Sequence, residues 1–128
     1  MINIINKMPR VQMNQDGTFT LLEDVSVEIM GIIITAPTGM PCDGASIPSI
    51  LHSVIGPPVA GPHLLAAIIH DSLCILSNCY ADRVFSDGVF FHLLTDADIP
   101  RWKRTCMYVG VRTFARLKYS PIGRFMKW

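Results

Sequence analysis

Charge is scarce in this chain: 16% of its 128 residues are Asp, Glu, Lys or Arg, against 50% that are hydrophobic. So apolar a composition excludes the disordered class and predicts a packed core. The length suits a single domain over residues 1–128. A membrane span is missing as well. The longest apolar run, Leu64 to Leu76, is interrupted by His70, Asp71 and Ser72, and it falls short of the roughly 20 residues that a spanning helix requires. Met1 to Arg10 has neither the apolar stretch nor the small-residue cleavage pattern of a secretory signal, so residence in the cytoplasm is expected. No phosphate-binding glycine loop, dinucleotide fingerprint or nucleic-acid motif occurs, which argues against nucleic acid as the partner. The four cysteines, Cys42, Cys74, Cys79 and Cys106, form neither a C-x-x-C pair nor a zinc-like spacing. They read as reduced, small buried hydrophobes, with Cys74 and Cys79, which flank a short turn, the pair most apt to depart from that.

The pattern that is present reads as an α+β fold. Residues 1–40 are β-rich: Thr18 to Leu22, Val25 to Ile29 and Gly31 to Thr35 abound in β-branched and aromatic side chains, and Asp16-Gly17 supplies a turn signal. A small antiparallel sheet or a pair of hairpins follows. Pro37, Gly39 and Pro41 break the pairing, and residues 41–61 read as a long loop with a helical turn near Ser49 to Val54. Residues 62–118 then read as three helices. Pro62 opens the first, which continues through Leu76; Ser77-Asn78 breaks it; the second runs from Tyr80 to Leu94 and the third begins near Pro100. Trp102, Cys106, Gly110, Phe114 and Leu117 fall at intervals of three or four and predict the core face of that third helix. Residues 119–128 form a basic and aromatic tail.

Charge is also lopsided. Residues 101–128 hold eight Lys or Arg and no acid, leaving three bases against ten acids in the first 100 residues, a balance of −7. Such a segment meets the acidic part of its own fold, an anionic membrane or an acidic partner.

The candidate chemistry lies where polar residues interrupt apolar helix. A buried carboxylate at Asp71 demands a cation, several donors or a metal. If the first two helices form an antiparallel hairpin, the face of Ala66, His70 and Leu73 meets that of Asp82, Phe85 and Val89. His70 and Asp82 then read as a dyad in which the carboxylate orients the imidazole and the imidazole activates water. Asp71 is left for a cation, and its hard oxygen ligands favour calcium or magnesium over a soft metal, with Asp43 as a second ligand from the loop. In the plainer reading His70 is a hydrogen-bonded core histidine and Asp71 pairs with Arg83 or Arg112. Asp43-Gly44-Ala45-Ser46-Ile47-Pro48 is either a self-capped turn or the source of Asp43 as a ligand and Ser46 as a nucleophile. Tyr108 and Arg112, four residues apart, share a helical face that reaches towards the dyad.

Taken in order, Ile34-Thr35-Ala36-Pro37-Thr38-Gly39, Asp43-Gly44-Ala45-Ser46-Ile47-Pro48, Ala66-Ala67-Ile68-Ile69-His70-Asp71, Ala81-Asp82-Arg83-Val84-Phe85 and Met107-Tyr108-Val109-Gly110-Val111-Arg112 resemble a family of tailed phages and prophages, domain of unknown function 1353. The helix pair is similar, more distantly, to phospholipases with a His-Asp step on one helix and an Asp on the other. That resemblance implies water activation by His70, calcium binding by Asp71 and support by Asp82. The framework disulfides and the glycine-rich calcium loop of those enzymes are absent from the sequence. Two expectations stand. One is a phage accessory protein acting as a calcium-assisted ester or lipid hydrolase, held at an anionic membrane by residues 101–128. The other is a non-catalytic virion or assembly protein, in the host cytoplasm or in the particle, that contacts virion proteins or further copies of itself.

Overall fold

Strict alternation of apolar and polar side chains makes half-buried strands, and the N-terminal part of this chain alternates in that way. The computed structural model describes residues 2–5, 9–16, 18–42 and 63–121. Six strands form two three-stranded sheets: β1 (Ile2–Ile4), β4 (Val25–Ile29) and β5 (Ile32–Ala36) in the order β1-β4-β5, and β2 (Val11–Met13), β3 (Phe19–Leu21) and β6 (Pro41–Cys42) in the order β2-β3-β6. Every pairing is antiparallel. The three strands expected from the sequence are present, Val25–Ile29 with the expected ends and the other two with ends shifted by one residue. The short β1 and β2 carry too few residues for a periodic signal of their own. Val25 pairs with Ala36 and Val27 with Ile34, and Val25, Val27 and Ala36 are fully buried. On the opposite face Ser26 and Thr35 share a hydroxyl–hydroxyl hydrogen bond of 2.8 Å.

The β4–β5 hairpin closes through Met30 and Gly31, with φ of +51° and +83°. A two-residue turn with both φ values positive matches the right-handed twist of the strands it joins. Glycine adopts that backbone freely, whereas Met30 does so against its Cβ.

Three helices follow: α1 (Leu64–Leu76), α2 (Tyr80–Asp96) and α3 (Arg101–Lys118). Helix α1 packs against β4, β5 and β6 on one side and α2 on the other, which is why every residue from Ala66 to Ser72 is buried. One apolar cluster joins Phe19, Leu21, Val25 and Val27 of the sheets to Ile68, Ile69, Phe90, Leu94 and Val111 of the helices. Among the described residues no helix is long and apolar enough to cross a membrane. Of residues 41–61, expected as a loop, Pro41 and Cys42 instead pair with β3 as β6; residues 43–61, where a helical turn was expected, Pro62 and residues 122–128 of the tail lie outside the described residues.

Helix ends explain two departures from the expected boundaries. Thr95 and Asp96, expected to stop α2, lie inside it. The chain leaves the helix through Asp98, whose φ of +58° lets its N–H reach the Thr95 carbonyl (3.1 Å) and the Ile99 N–H reach the Leu94 carbonyl (3.2 Å). These two bonds, with Ile99 and Leu94 both buried, make a Schellman termination whose left-handed position usually carries glycine. The face of α3 also differs from expectation. Trp102 is 56% exposed and Leu117 and Cys106 are exposed, while Met107, Val111 and Ala115 are fully buried. A helix turns about 100° per residue, so this neighbouring i, i+4 ladder rotates the buried face by one residue and sets Arg112 at its margin. The expectation for the cysteines holds for Cys42, which is buried. None of the four forms a disulfide; Cys74 is half-buried, and Cys79 and Cys106 are exposed.

Two stability measurements follow. Asp98→Gly should raise the unfolding free energy by about 0.5–1 kcal/mol in a denaturant titration, since glycine removes the left-handed penalty. Asp24 accepts hydrogen bonds from the Thr38 hydroxyl (2.6 Å) and the Thr38 N–H (2.7 Å). These bonds, the hydroxyl's first, hold its carboxyl below the ordinary value of 3.8. A carboxyl with a lowered folded-state value stabilises the fold above its unfolded value and loses that contribution as pH falls through the folded one. Asp24→Ala should therefore lower Tm at pH 7, and the gap from wild type should close as the pH is taken below 3.8.

Candidate functional site

Two polar inserts interrupt the apolar faces of the helix hairpin, His70-Asp71-Ser72 on α1 and Ser86-Asp87-Gly88 on α2. The connection Ser77–Cys79 folds the second helix back on the first. His70 stands eight residues before Asn78 and Asp87 nine residues after it, so an antiparallel return brings these two positions level. His70 Nε2 and Asp87 Oδ1 lie 2.5 Å apart, with both side chains 0% exposed.

Asp87 is the centre of the cluster. Arg112 of α3 donates from Nη1 to its Oδ2 at 2.8 Å, and Arg83, one turn earlier on α2, places Nη2 3.7 Å from its Oδ1. A carboxylate holding two guanidinium groups offers only acceptors, so the bridging proton belongs to His70 Nε2, and any base function of the ring falls to Nδ1. The imidazole also lies 4.8 Å from the Phe90 ring. Arg112 extends outward, donating from Nη2 to the Tyr80 hydroxyl and lying 5.0 Å over that ring. Arg83 is buried, with its guanidinium 5.7 Å from the Phe114 ring. Among the described residues its Nε and Nη2 have no hydrogen-bond partner, so its attraction to Asp87 is coulombic. Cys74, one turn after His70, sets its Sγ 3.6 Å from Nε2 and 3.7 Å from Nδ1.

The expected pairing of His70 with Asp82 is not what the hairpin forms. Asp82 is four residues past Asn78, too early on the returning helix to reach His70. It is exposed in the first turn of α2, where its Oδ2 accepts the Asn78 N–H at 2.9 Å. A carboxylate there serves the free amides and the positive end of the helix dipole. Phe85, expected on the inner face with Asp82, is 56% exposed. Tyr108 also turns elsewhere, packing edge-on to Phe91 at 5.1 Å. Arg112 does reach the cluster, and there the basic C-terminal segment meets an acid of its own fold. Arg83 and Arg112, expected as partners of Asp71, converge on Asp87. Asp71 is itself buried, one residue from His70. Asp43 and Ser46 lie outside the described residues, and among the described residues no three His, Cys, Asp or Glu side chains are grouped to hold a metal ion. Asp87 was legible in one respect, since Arg83 stands four residues before it, the spacing of a helical ion pair.

Residues 19–111 match the family model described as protein of unknown function, DUF1353. The chain belongs to that family. An uncharacterised protein of Sinorhizobium fredii (strain NBRC 101917 / NGR234), y4jT, is 36% identical over 84 residues, which cover 66% of this chain and 24% of the relative. The chain thus spans about a quarter of the length of that curated relative. No solved structure matches it. The matched region of this DUF1353 chain takes in β3 to β6, α1, α2 and α3 as far as Val111, and it stops one residue short of Arg112.

Because Asp87 is buried with charged partners on two helices, its removal strands two guanidinium groups and an imidazole. Asp87→Ala should cost about 3–5 kcal/mol of unfolding free energy, whereas Asp82→Ala should cost about 0.3–1 kcal/mol through the helix terminus. Equal losses in parallel denaturant titrations would remove Asp87 from its central place.

Proposed function

We propose that this chain is a non-catalytic assembly module of a phage or prophage particle, working through protein–protein contact, and that its His-Asp-Arg cluster holds the helices in register. The burial of His70 and Asp87 carries this reading, since both side chains are withdrawn from solvent and bonded to each other. A general base must come within hydrogen-bond reach of a water or substrate proton. His70 is engaged on one edge by Asp87 and packed against Phe90. The phospholipase likeness assigns Asp82 to support the histidine, and Asp82 is instead occupied at the start of α2. The calcium-assisted hydrolase reading is accordingly the weaker one.

The surface supports contact with another protein. At the hairpin end of α1 and α2, Leu73, Leu76, Ser77, Asp82, Phe85 and Ser86 line an open depression of about 220 Å³. Leu76 is 71% exposed, and Ile75 and Val84 beside this region are exposed as well. Exposed apolar groups that cluster and are rimmed by polar side chains mark interaction surfaces. In y4jT the matching stretch makes up a quarter of a longer chain, which suits a module that works next to other polypeptide.

The decisive measurement uses particles harvested from the producing host and separated by sedimentation. The wild-type chain should travel with them, and Phe85→Asp, whose unfolding free energy should stay within about 0.5 kcal/mol of wild type, should be left in the supernatant. Two results would overturn the proposal: absence of the wild-type chain from the particles, or calcium-dependent ester hydrolysis that disappears in a folded His70→Gln variant.

A further inference from the structure

The contact between Cys74 and His70 has no part in holding the helices together. A thiol beside an imidazole whose far nitrogen is fixed by a carboxylate has the order of nucleophile, base and orienting group that activates sulfur elsewhere in protein chemistry. Here the order is Cys74, His70 and Asp87, with Sγ 3.6–3.7 Å from the ring nitrogens and Nε2 2.5 Å from the carboxylate. His70 is wholly buried, but Cys74 is only half-buried, so a reagent approaches sulfur and not the ring.

The charges around that sulfur come from all three helices. On its own helix Cys74 has His70 and Asp71; α2 contributes Asp87 and Arg83, and α3 reaches the same carboxylate with Arg112. The strands packed on α1 turn Val25, Val27, Ala36 and the Cys42 thiol inward. The guanidinium groups of Arg83 and Arg112 are balanced by the carboxylates of Asp71 and Asp87, so the cation that faces the sulfur is the imidazolium formed when His70 takes the thiol proton. Thiolates form most readily next to such cations.

We propose that Cys74 is a modification site that exchanges with low-molecular-weight disulfides, using His70 as its base. The Cys74 proton passes to His70 Nδ1, and the thiolate attacks one sulfur of the disulfide. A bond forms between Sγ and that sulfur while the bond to the second sulfur breaks, and the expelled thiolate takes the proton back from the imidazolium. The disulfide supplies the oxidising equivalents: one disulfide is consumed and one mixed disulfide is made. The proposal stands apart from the assembly reading, because it requires neither a particle nor a partner protein.

Cys79 and Cys106, both exposed, are references within the same molecule. The folded chain is treated with oxidised glutathione between about pH 5.5 and 9, and the rate at each cysteine is read by peptide mass spectrometry. At about pH 6, Cys74 should react about tenfold faster than Cys79 or Cys106, as expected of a thiol with a base beside it. That advantage should vanish in urea, where all three cysteines lose their neighbours, and in a His70→Gln variant that keeps its circular dichroism. Should His70→Gln fail to fold, the comparison of native with urea-unfolded wild type decides alone. Cys74 unmodified in the folded chain, or modified with the pH profile of Cys79 and Cys106, overturns the proposal, as does an advantage that survives in folded His70→Gln.

Discussion

The carboxylate of Asp87 is withdrawn from water in the middle of three helices. An isolated buried charge is too costly to keep, so the groups that neutralise it must arrive together when the chain folds. They come from three elements: His70 from α1, Arg83 from the same helix as the acid, and Arg112 from α3. A slip of α1 or α3 by one turn, about 5.4 Å, would break one of these contacts and leave a charge or a donor stranded. Apolar residues of similar volume often hold such positions with equal stability. The contribution of the ionic cluster is thus best understood as fixing which register of the helices is allowed.

The remaining architecture follows from where α1 must lie. Covered by strands on one side and α2 on the other, it takes an apolar residue at almost every inward position, and its polar insert has to be satisfied by neighbours. The later helices are less constrained. Helix α2 closes with Asp98 in a left-handed backbone, and α3 presents Met107, Val111 and Ala115 inward while its other flank carries Trp102 and Val109 to solvent. Side chains that would be core in a larger protein therefore lie open at the surface, most densely at the hairpin end around Phe85 and Leu76. The inward polar groups bond to one another, and the outer apolar region is open to solvent. Cys74 is the exception, being attached to the interior cluster and half open to solvent.

Much of the helical hairpin was legible because its signals are local. An apolar run bounded by Pro62 and Ser77-Asn78 marks α1, whose end at Leu76 agrees with expectation while its described start is Leu64, and the importance of the polar interruption at His70 and Asp71 is visible in composition alone. The partner of His70 was not legible by facing Asp82, Phe85 and Val89 towards it. That choice follows the apolar appearance of Phe85, and apolar side chains are common on protein surfaces. Counting equal distances from the turn leads to Asp87, but only once the connection is known to be Ser77–Cys79 and the return to be antiparallel. On α3 two i, i+4 ladders one residue apart are both apolar enough to face a core, and periodicity alone does not choose between them.

The sequence by itself determined that this chain folds as α+β, that strands precede three helices, and that a buried acid on an apolar helix needs partners. Each of these depends on interactions between residues close in the chain, whose spacing is readable directly. Tertiary structure alone decided that Asp87 is the shared carboxylate, that Arg112 reaches it, that Asp82 caps a helix, and that Phe85 faces solvent. These outcomes depend on the crossing and rotation of packed helices, where one residue of shift turns a side chain by about 100° and exchanges the inside of the protein for its surface.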